Sequence, residues 1–225
     1  VSGHVVVGTS SWADPGFVAE WYPPKLPAAE QLPYYAERFA AVEVNSTYYA
    51  IPSAKTVKRW AEVTPKDFTF DIKLHQALSR HSAQVDSLPK ALRDRVDTTP
   101  RGRVRPSQAL DRELARRYLR AVKPLIDAGK PPTMLPRLDA VTRDDLAYLR
   151  LHGRNARGWV KGRTVAERFG YRYDDAELEE IAQRAEGLAE EADTVRVMFN
   201  NNRGDDAPTA AQQLRALLGQ EPAER

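Results

Sequence analysis

Two periodicities alternate along this chain, and that alternation limits the folds open to it. Short β-branched or aromatic segments with a repeat of two are separated by longer amphipathic segments with a repeat near 3.6. Five of the first kind read as strands, at about His4–Thr9, Val42–Tyr49, Phe68–His75, Leu146–His152 and Thr194–Asn200. Helical patterns follow or separate them at Ala28–Phe39, Ala54–Glu62, Asp111–Ala128, Asp174–Ala192 and Thr209–Leu218. In the third, Ala115, Leu119, Val122 and Ile126 are expected to form the buried stripe. The fourth opens with Asp174 and, three residues on, Glu177, a capping-box signature. Strand–helix alternation predicts a parallel sheet covered by helices.

The strands are not uniformly apolar, and their polar residues fall on one side. Glu43, Asn45 and Thr47 oppose Val42 and Val44, while Asp71, Lys73 and His75 oppose Phe70, Ile72 and Leu74. Tyr148, Arg150 and His152 oppose Leu149 and Leu151, and Arg196, Met198 and Asn200 oppose Val195, Val197 and Phe199. Successive side chains of a strand point to opposite faces, so each segment has one polar face. An exposed sheet face would explain this, but strands joined by helices are usually covered on both sides. A closed βα barrel reconciles the two: apolar faces meet the helices and polar faces line the interior. Its site would gather at the C-terminal ends of the strands.

At 225 residues the chain can bury a full core, and one α/β domain is expected. No apolar run reaches the roughly 20 residues of a membrane helix. No charged segment followed by an apolar one opens the chain, so secretion is not expected and a cytoplasmic location is. The absence of cysteine removes disulfides, thiol catalysis and thiolate metal sites. The net charge of +3 is unevenly spread. Between Leu88 and Lys130 twelve Lys or Arg stand against five acids, a surplus of seven. Such a run is either a solvated helix face and loop or a surface for a polyanion such as nucleic acid.

The inward polar residues offer a set of roles. Glu43 is a candidate general base if burial raises its pKa, or else one half of a buried ion pair with Lys73 or Arg150. Arg150 and Lys73 could clamp a phosphate or carboxylate, the first through its planar fork and the second as a point charge. His152 is a candidate proton donor, or a histidine that hydrogen-bonds its neighbours. Asn200 and Asn201, followed by Asn202 and Gly204, orient a ligand or simply form a turn. Trp12 and Tyr49 stack on a ligand ring or pack at a rim. A metal site built from Glu43, His75 and His152 is chemically adequate but has no supporting spacing. Neither a Walker loop nor a GxGxxG fingerprint is present, so no cofactor is specified. Ser10 and Ser11 lack the context of a nucleophile elbow.

The stretches GTSSW, EWYPPKLP, YYAERFAAVEVNSTYY, TVKRWAEVTPKDFTFDIKLH, YLRLHGRN and VMFNNN occur here in that order. Together they resemble the YecE-like family, domain of unknown function 72, over nearly the whole chain except its middle. The resemblance implies a TIM-barrel-type (β/α)8 fold and no assigned activity. Matched residue by residue, it marks Ser10 and Trp12 after the first strand, and Glu43, Asn45, Thr47 and Tyr49 on the second. It also marks Lys73 on the third, then Arg150, His152 and Gly153, and finally Asn200 and Asn201. Between Lys130 and Leu146 the family carries further βα units that this chain lacks, so a single barrel-type domain with an internal gap or deletion near 130–131 is expected. Three functions follow. The first is an enzyme taking an anionic, phosphate-bearing substrate by acid–base or hydrolytic chemistry. The second is a nucleic-acid or polyanion-binding protein, and the third is a shortened, inactive barrel serving as an interaction module.

Overall fold

The computed structural model describes residues 3–79, 81–135, 140–142, 145–155, 160–201 and 203–220. In chain order these form β1 (His4–Thr9), α1 (Ala28–Ala36), β2 (Ala41–Val44), α2 (Ala54–Glu62), β3 (Thr69–Lys73), α3 (Lys90–Arg93) and α4 (Gln108–Asp127). There follow β4 (Thr133–Leu135), β5 (Ala140–Thr142), β6 (Ala147–Leu151), α5 (Val165–Phe169), α6 (Asp175–Ala189), β7 (Thr194–Phe199) and α7 (Asp206–Leu217). The chain divides into two compact units, Val1–Glu43 with Leu138–Arg225, and Val44–Arg137.

In the first unit β1 pairs in parallel with β2 on one side and β7 on the other, β7 pairs in parallel with β6, and β5 is antiparallel to β6. The register fixes which side chains share a face, because directly paired residues point the same way. Gly8 stands opposite Ala41 and Met198, and Met198 stands opposite Arg150. Val6, Arg196 and Tyr148 form the layer before this one. The other face, with Val5, Val7, Val42, Val195, Val197, Phe199, Ala147 and Leu149, is buried and apolar. α6 and α7 pack against β1 and β7 on that side. α6 starts as expected: the Asp174 side chain accepts from the Glu177 N–H while the Glu177 side chain accepts from that of Asp174.

In the second unit β3 and β4 pair in parallel, and α2 packs on α4. Trp60 of α2 stacks on Phe70 of β3 with ring centres 6.0 Å apart. Lys130, only 7% exposed, turns its ammonium onto the end of α2. There it donates to the carbonyls of Ala61 and Thr64 at 2.7 and 2.8 Å and to the Thr64 hydroxyl at 2.9 Å. A helix end leaves such carbonyls without partners, and a cation there also opposes the dipole. Between β3 and α4, Ala77, Ala83, Leu88, Leu92 and Val104 form a small core with Leu110 and Leu114 of α4.

The expected α/β fold with a parallel, helix-covered sheet is present, and the shortfall of barrel units is too: the described residues hold seven strands, six of which pair in parallel with a neighbour, not the eight of a closed barrel. Other expectations need correction. Two of the seven, β4 and β5, lie between Lys130 and Leu146, where the sequence pattern predicts no strand; each has three residues, too few to show a period. β2 stops at Val44 rather than Tyr49, and Asn45–Tyr48 form a 3-10 turn. Thr47 explains the stop: its hydroxyl lies 2.6 Å from the Val44 carbonyl, a local bond that competes with a strand ladder, and 2.7 Å from the carbonyl of Lys73 on β3. Asn45, Thr47 and Tyr49 therefore do not share a strand face with Glu43. On α4 the buried line is Leu110, Leu114, Tyr118, Ala121, Val122 and Leu125, whereas Leu119 and Ile126 are 61% and 47% exposed. No helix among the described residues is long and apolar enough to cross a membrane.

Candidate functional site

Glu43 is the last residue of the first unit's opening segment, on β2, and it is 1% exposed. Its carboxylate is held by three donors from β6. Arg150 gives Nε to Oε2 at 2.9 Å and Nη2 to Oε1 at 2.7 Å, and the Tyr148 hydroxyl gives a further bond to Oε2 at 2.9 Å. The guanidinium fork thus meets the carboxylate in the bidentate geometry that favours Arg over Lys.

This contact reports the shape of the sheet. β2 and β6 are separated by β1 and β7, and three strand spacings in a flat sheet are about 14 Å. Side chains of Glu and Arg rising from a flat sheet could not meet in fork geometry over that span. The four strands must curl, with the Glu43–Arg150 pair on the concave side. The layer beneath is made for the crossing: Gly8 and Ala41 are the small residues between Glu43 and Arg150. A Cβ at Gly8 would collide with the Ala41 carbonyl and stand 3.1 Å from the Met198 sulfur.

His152 continues the array beyond the end of β6. Its Nε2 lies 3.4 Å from Arg150 Nη1, a long contact, and its Nδ1 lies 2.9 Å from the Asn200 amide nitrogen. With the amide placed so, Nδ1 accepts and Nε2 carries the proton. Turning the Asn200 amide over would present its oxygen to Nδ1–H and free the Nε2 lone pair. The turned amide is the arrangement that also lets Nε2 accept from Arg150, whereas a proton on Nε2 would face that guanidinium donor to donor. Gly153 follows with φ +82°, and a Cβ there would meet Tyr171, so the turn after His152 requires glycine. The Gly153 N–H donates to the Tyr173 hydroxyl at 2.8 Å, which fixes the chain just past the histidine.

Of the other residues marked by the sequence, Ser10 is buried, and its N–H extends the β1–β7 ladder to the Phe199 carbonyl at 2.9 Å. Trp12 is partly exposed, and its carbonyl accepts from the Tyr22 hydroxyl at 2.5 Å. Asn201 is fully buried and its amide donates to the Tyr171 carbonyl at 2.7 Å. Asn202 lies outside the described residues. In the second unit, Lys73 donates to Asn45 Oδ1 at 3.0 Å and stands 5.0 Å from the Tyr48 ring centre, while Tyr49 is 65% exposed. The structure thus brings together Glu43, Arg150, His152 and Asn200 in one unit and Lys73 with Asn45 in the other. Tyr148 was absent from the candidate residues, although its place two before Arg150 already put it on the inward face.

The metal alternative loses His75. Its Nε2 is 3.0 Å from the Ser87 carbonyl and its Nδ1 accepts from the Ala77 N–H at 3.2 Å, so both nitrogens are engaged. Burial pushes its pKa below the ordinary value, which keeps the ring neutral. Among the described residues no group of three or more His, Asp or Glu side chains is placed to hold a metal ion. Much of the basic 88–130 stretch is engaged locally. Arg93 caps the Leu88 and Asp86 carbonyls, Arg105 the Thr98 carbonyl, Arg116 and Arg117 pair with Glu113, and Lys123 pairs with Asp127.

Comparisons with known proteins place these observations in a family. The family model described as protein of unknown function DUF72 matches residues 6–138 and again 110–225. The UPF0759 protein YunF of Bacillus subtilis (strain 168) is 26% identical over 278 aligned positions, which take in 95% of this chain and 94% of that one. Since 95% of 225 residues is about 214, about 64 of those positions (278 − 214) have no residue here. The UPF0759 protein YecE of Escherichia coli (strain K12) is 35% identical over 82 residues, 34% of this chain and 28% of its own. Among solved structures, a DUF72 family protein of Enterococcus faecalis V583 superposes with a TM-score of 0.70 at 18% identity, covering 98% of each chain. One of Thermotoga maritima MSB8 gives 0.62 at 21%, covering 96% of this chain and 99% of that one. At those identities the likeness is one of fold.

Proposed function

The chain belongs to the DUF72 family of proteins of unknown function, and from that premise we propose that the concave face around Arg150 binds an anionic group, with His152 moving a proton at the bound molecule. The observation that supports this reading is the array Tyr148–Glu43–Arg150–His152–Asn200, in which each member orients the next. Glu43 is a positioning residue in this reading. Its oxygens are occupied by three donors, so it serves as a base only when an incoming anion draws the guanidinium away. Arg150 offers a planar fork to a phosphate or carboxylate. His152, steered by Asn200, is the group that takes or gives a proton, which is the acid–base or hydrolytic class of chemistry. Lys73 with Asn45 is a second candidate contact for an anion.

Inorganic phosphate titrated into the protein, followed by the ring resonances of His152, tests the proposal. A saturable shift is expected. Removing Arg150 alone would strand the Glu43 carboxylate and risk the fold, so the comparison is the double variant Glu43→Leu with Arg150→Met. Replacing a buried pair by apolar residues of similar volume is often neutral for stability. Loss of the phosphate response in the folded double variant is expected. No saturable response in the wild type, or an equal one in the double variant, would sink the assignment.

A further inference from the structure

We infer that a second copy of this chain docks along the outer face of α4, with α6 of the other copy as the surface it meets. On α4, Arg112, Arg116, Leu119 and Lys123 stand at positions i, i+4, i+7 and i+11, all exposed, with Arg120 and the exposed Ile126 beside them. On α6, Glu179, Gln183 and Glu186, with Glu190 at its C-cap, stand at the same spacing, also all exposed. Residues three and four apart in a helix lie on one face, so each set forms a continuous line, one basic with an apolar rib and one acidic. From Asp174 to Asp193 there are nine acids and one basic residue, Arg184. Among the described residues neither Arg112 nor Arg120, nor Glu179, Glu186 or Glu190, makes an ion pair. Each line carries charge the other could neutralise.

The family comparison points to the same helix. Residues 110–138 are matched twice by the family model, so α4 and β4 stand at two places in the family pattern at once. The units between those places are what this chain lacks, and about 64 positions of the Bacillus subtilis relative have no counterpart here. In a layered βα fold each helix is flanked by the next. A helix whose successor is missing keeps that flank bare, which accounts for Leu119 and Ile126 lying open on a helix whose opposite face is buried. The inference does not rest on the anion-binding proposal.

Sedimentation velocity of the full chain at low and high salt tests it. The expected result is a mass above the 25.3 kDa of one chain at low salt, returning to one chain as salt rises. Exposed charges are screened beyond about 10 Å at 0.1 M salt. Arg112→Glu with Arg120→Glu should stay monomeric, and so should Glu179→Lys with Glu186→Lys, each with an unchanged circular dichroism spectrum. Mixed together, the two variants present complementary lines again and should form a heteromeric species. A wild type that is monomeric at every salt overturns the inference, as does association that survives in both variants or a mixture that fails to associate. If the monomeric wild type instead binds a single-stranded oligonucleotide and the α4 variant loses that binding, the face serves a polyanion and the second copy is ruled out.

Discussion

Glu43 and Arg150 illustrate how much of this site depends on one buried pair. The carboxylate is 1% exposed and the guanidinium side chain 10%. Glu43→Gln leaves the cation without its counter-charge, and breaking such a pair on one side typically destabilises by about 3–5 kcal/mol. Tyr148→Phe removes one donor to the carboxylate and should lower stability by about 1.5–3 kcal/mol, with the fold intact. Urea unfolding midpoints rank these variants, and the expected order is wild type, Tyr148→Phe, then Glu43→Gln. Gly8→Ala is a third case: its methyl collides with the Ala41 carbonyl under the pair, so it should destabilise despite being the smallest change available. The pairing was legible in the sequence because alternation on two strands put both charges on the inward side. Which cation Glu43 takes was not legible, since Lys73 and Arg150 fit the same face pattern and only the register of β1, β7 and β6 distinguishes them.

Elements were read best where a local signal fixed them. β1 and α2 lie where the patterns placed them, and α6 begins at its capping box. β2 was read too long because Asn45, Thr47 and Tyr49 keep the period of two after Thr47 has turned the chain. On α4 two lines of apolar residues one position apart both satisfy helical spacing, so periodicity cannot choose between them. The choice falls to the line with Leu110, Leu114, Tyr118 and Leu125, which α2 and the small core between β3 and α4 cover. The Lys130 cap was equally hidden, since its acceptors lie more than sixty residues back in the chain. Lys130→Met should cost about 2–3 kcal/mol, measured as a lower denaturant midpoint with an unchanged slope. Lys130→Arg should recover part of it.

For the whole molecule, His75 is one contributor to sensitivity to mild acid. Burial holds its folded-state pKa below the unfolded value of 6.5, with the Ser87 and Tyr49 carbonyls opposing that shift. The unfolded chain therefore binds a proton that the folded one refuses. Stability is complete above 6.5 and declines as the pH falls through 6.5 towards the folded value, by at most about 1.4 kcal/mol per pH unit. Unfolding midpoints between pH 7.5 and 5 should fall more steeply for the wild type than for His75→Gln, whose amide can reproduce both hydrogen bonds; equal slopes would remove His75 as a cause. The bridge across the first unit has a further consequence. A chord drawn between the ends of an arc holds its curvature, and the Glu43–Arg150 contact is such a chord over four strands. On the proposed reading an anion that captures the guanidinium would slacken it and couple occupancy to the stiffness of the sheet, and faster amide exchange in β1 on adding phosphate is the expected sign.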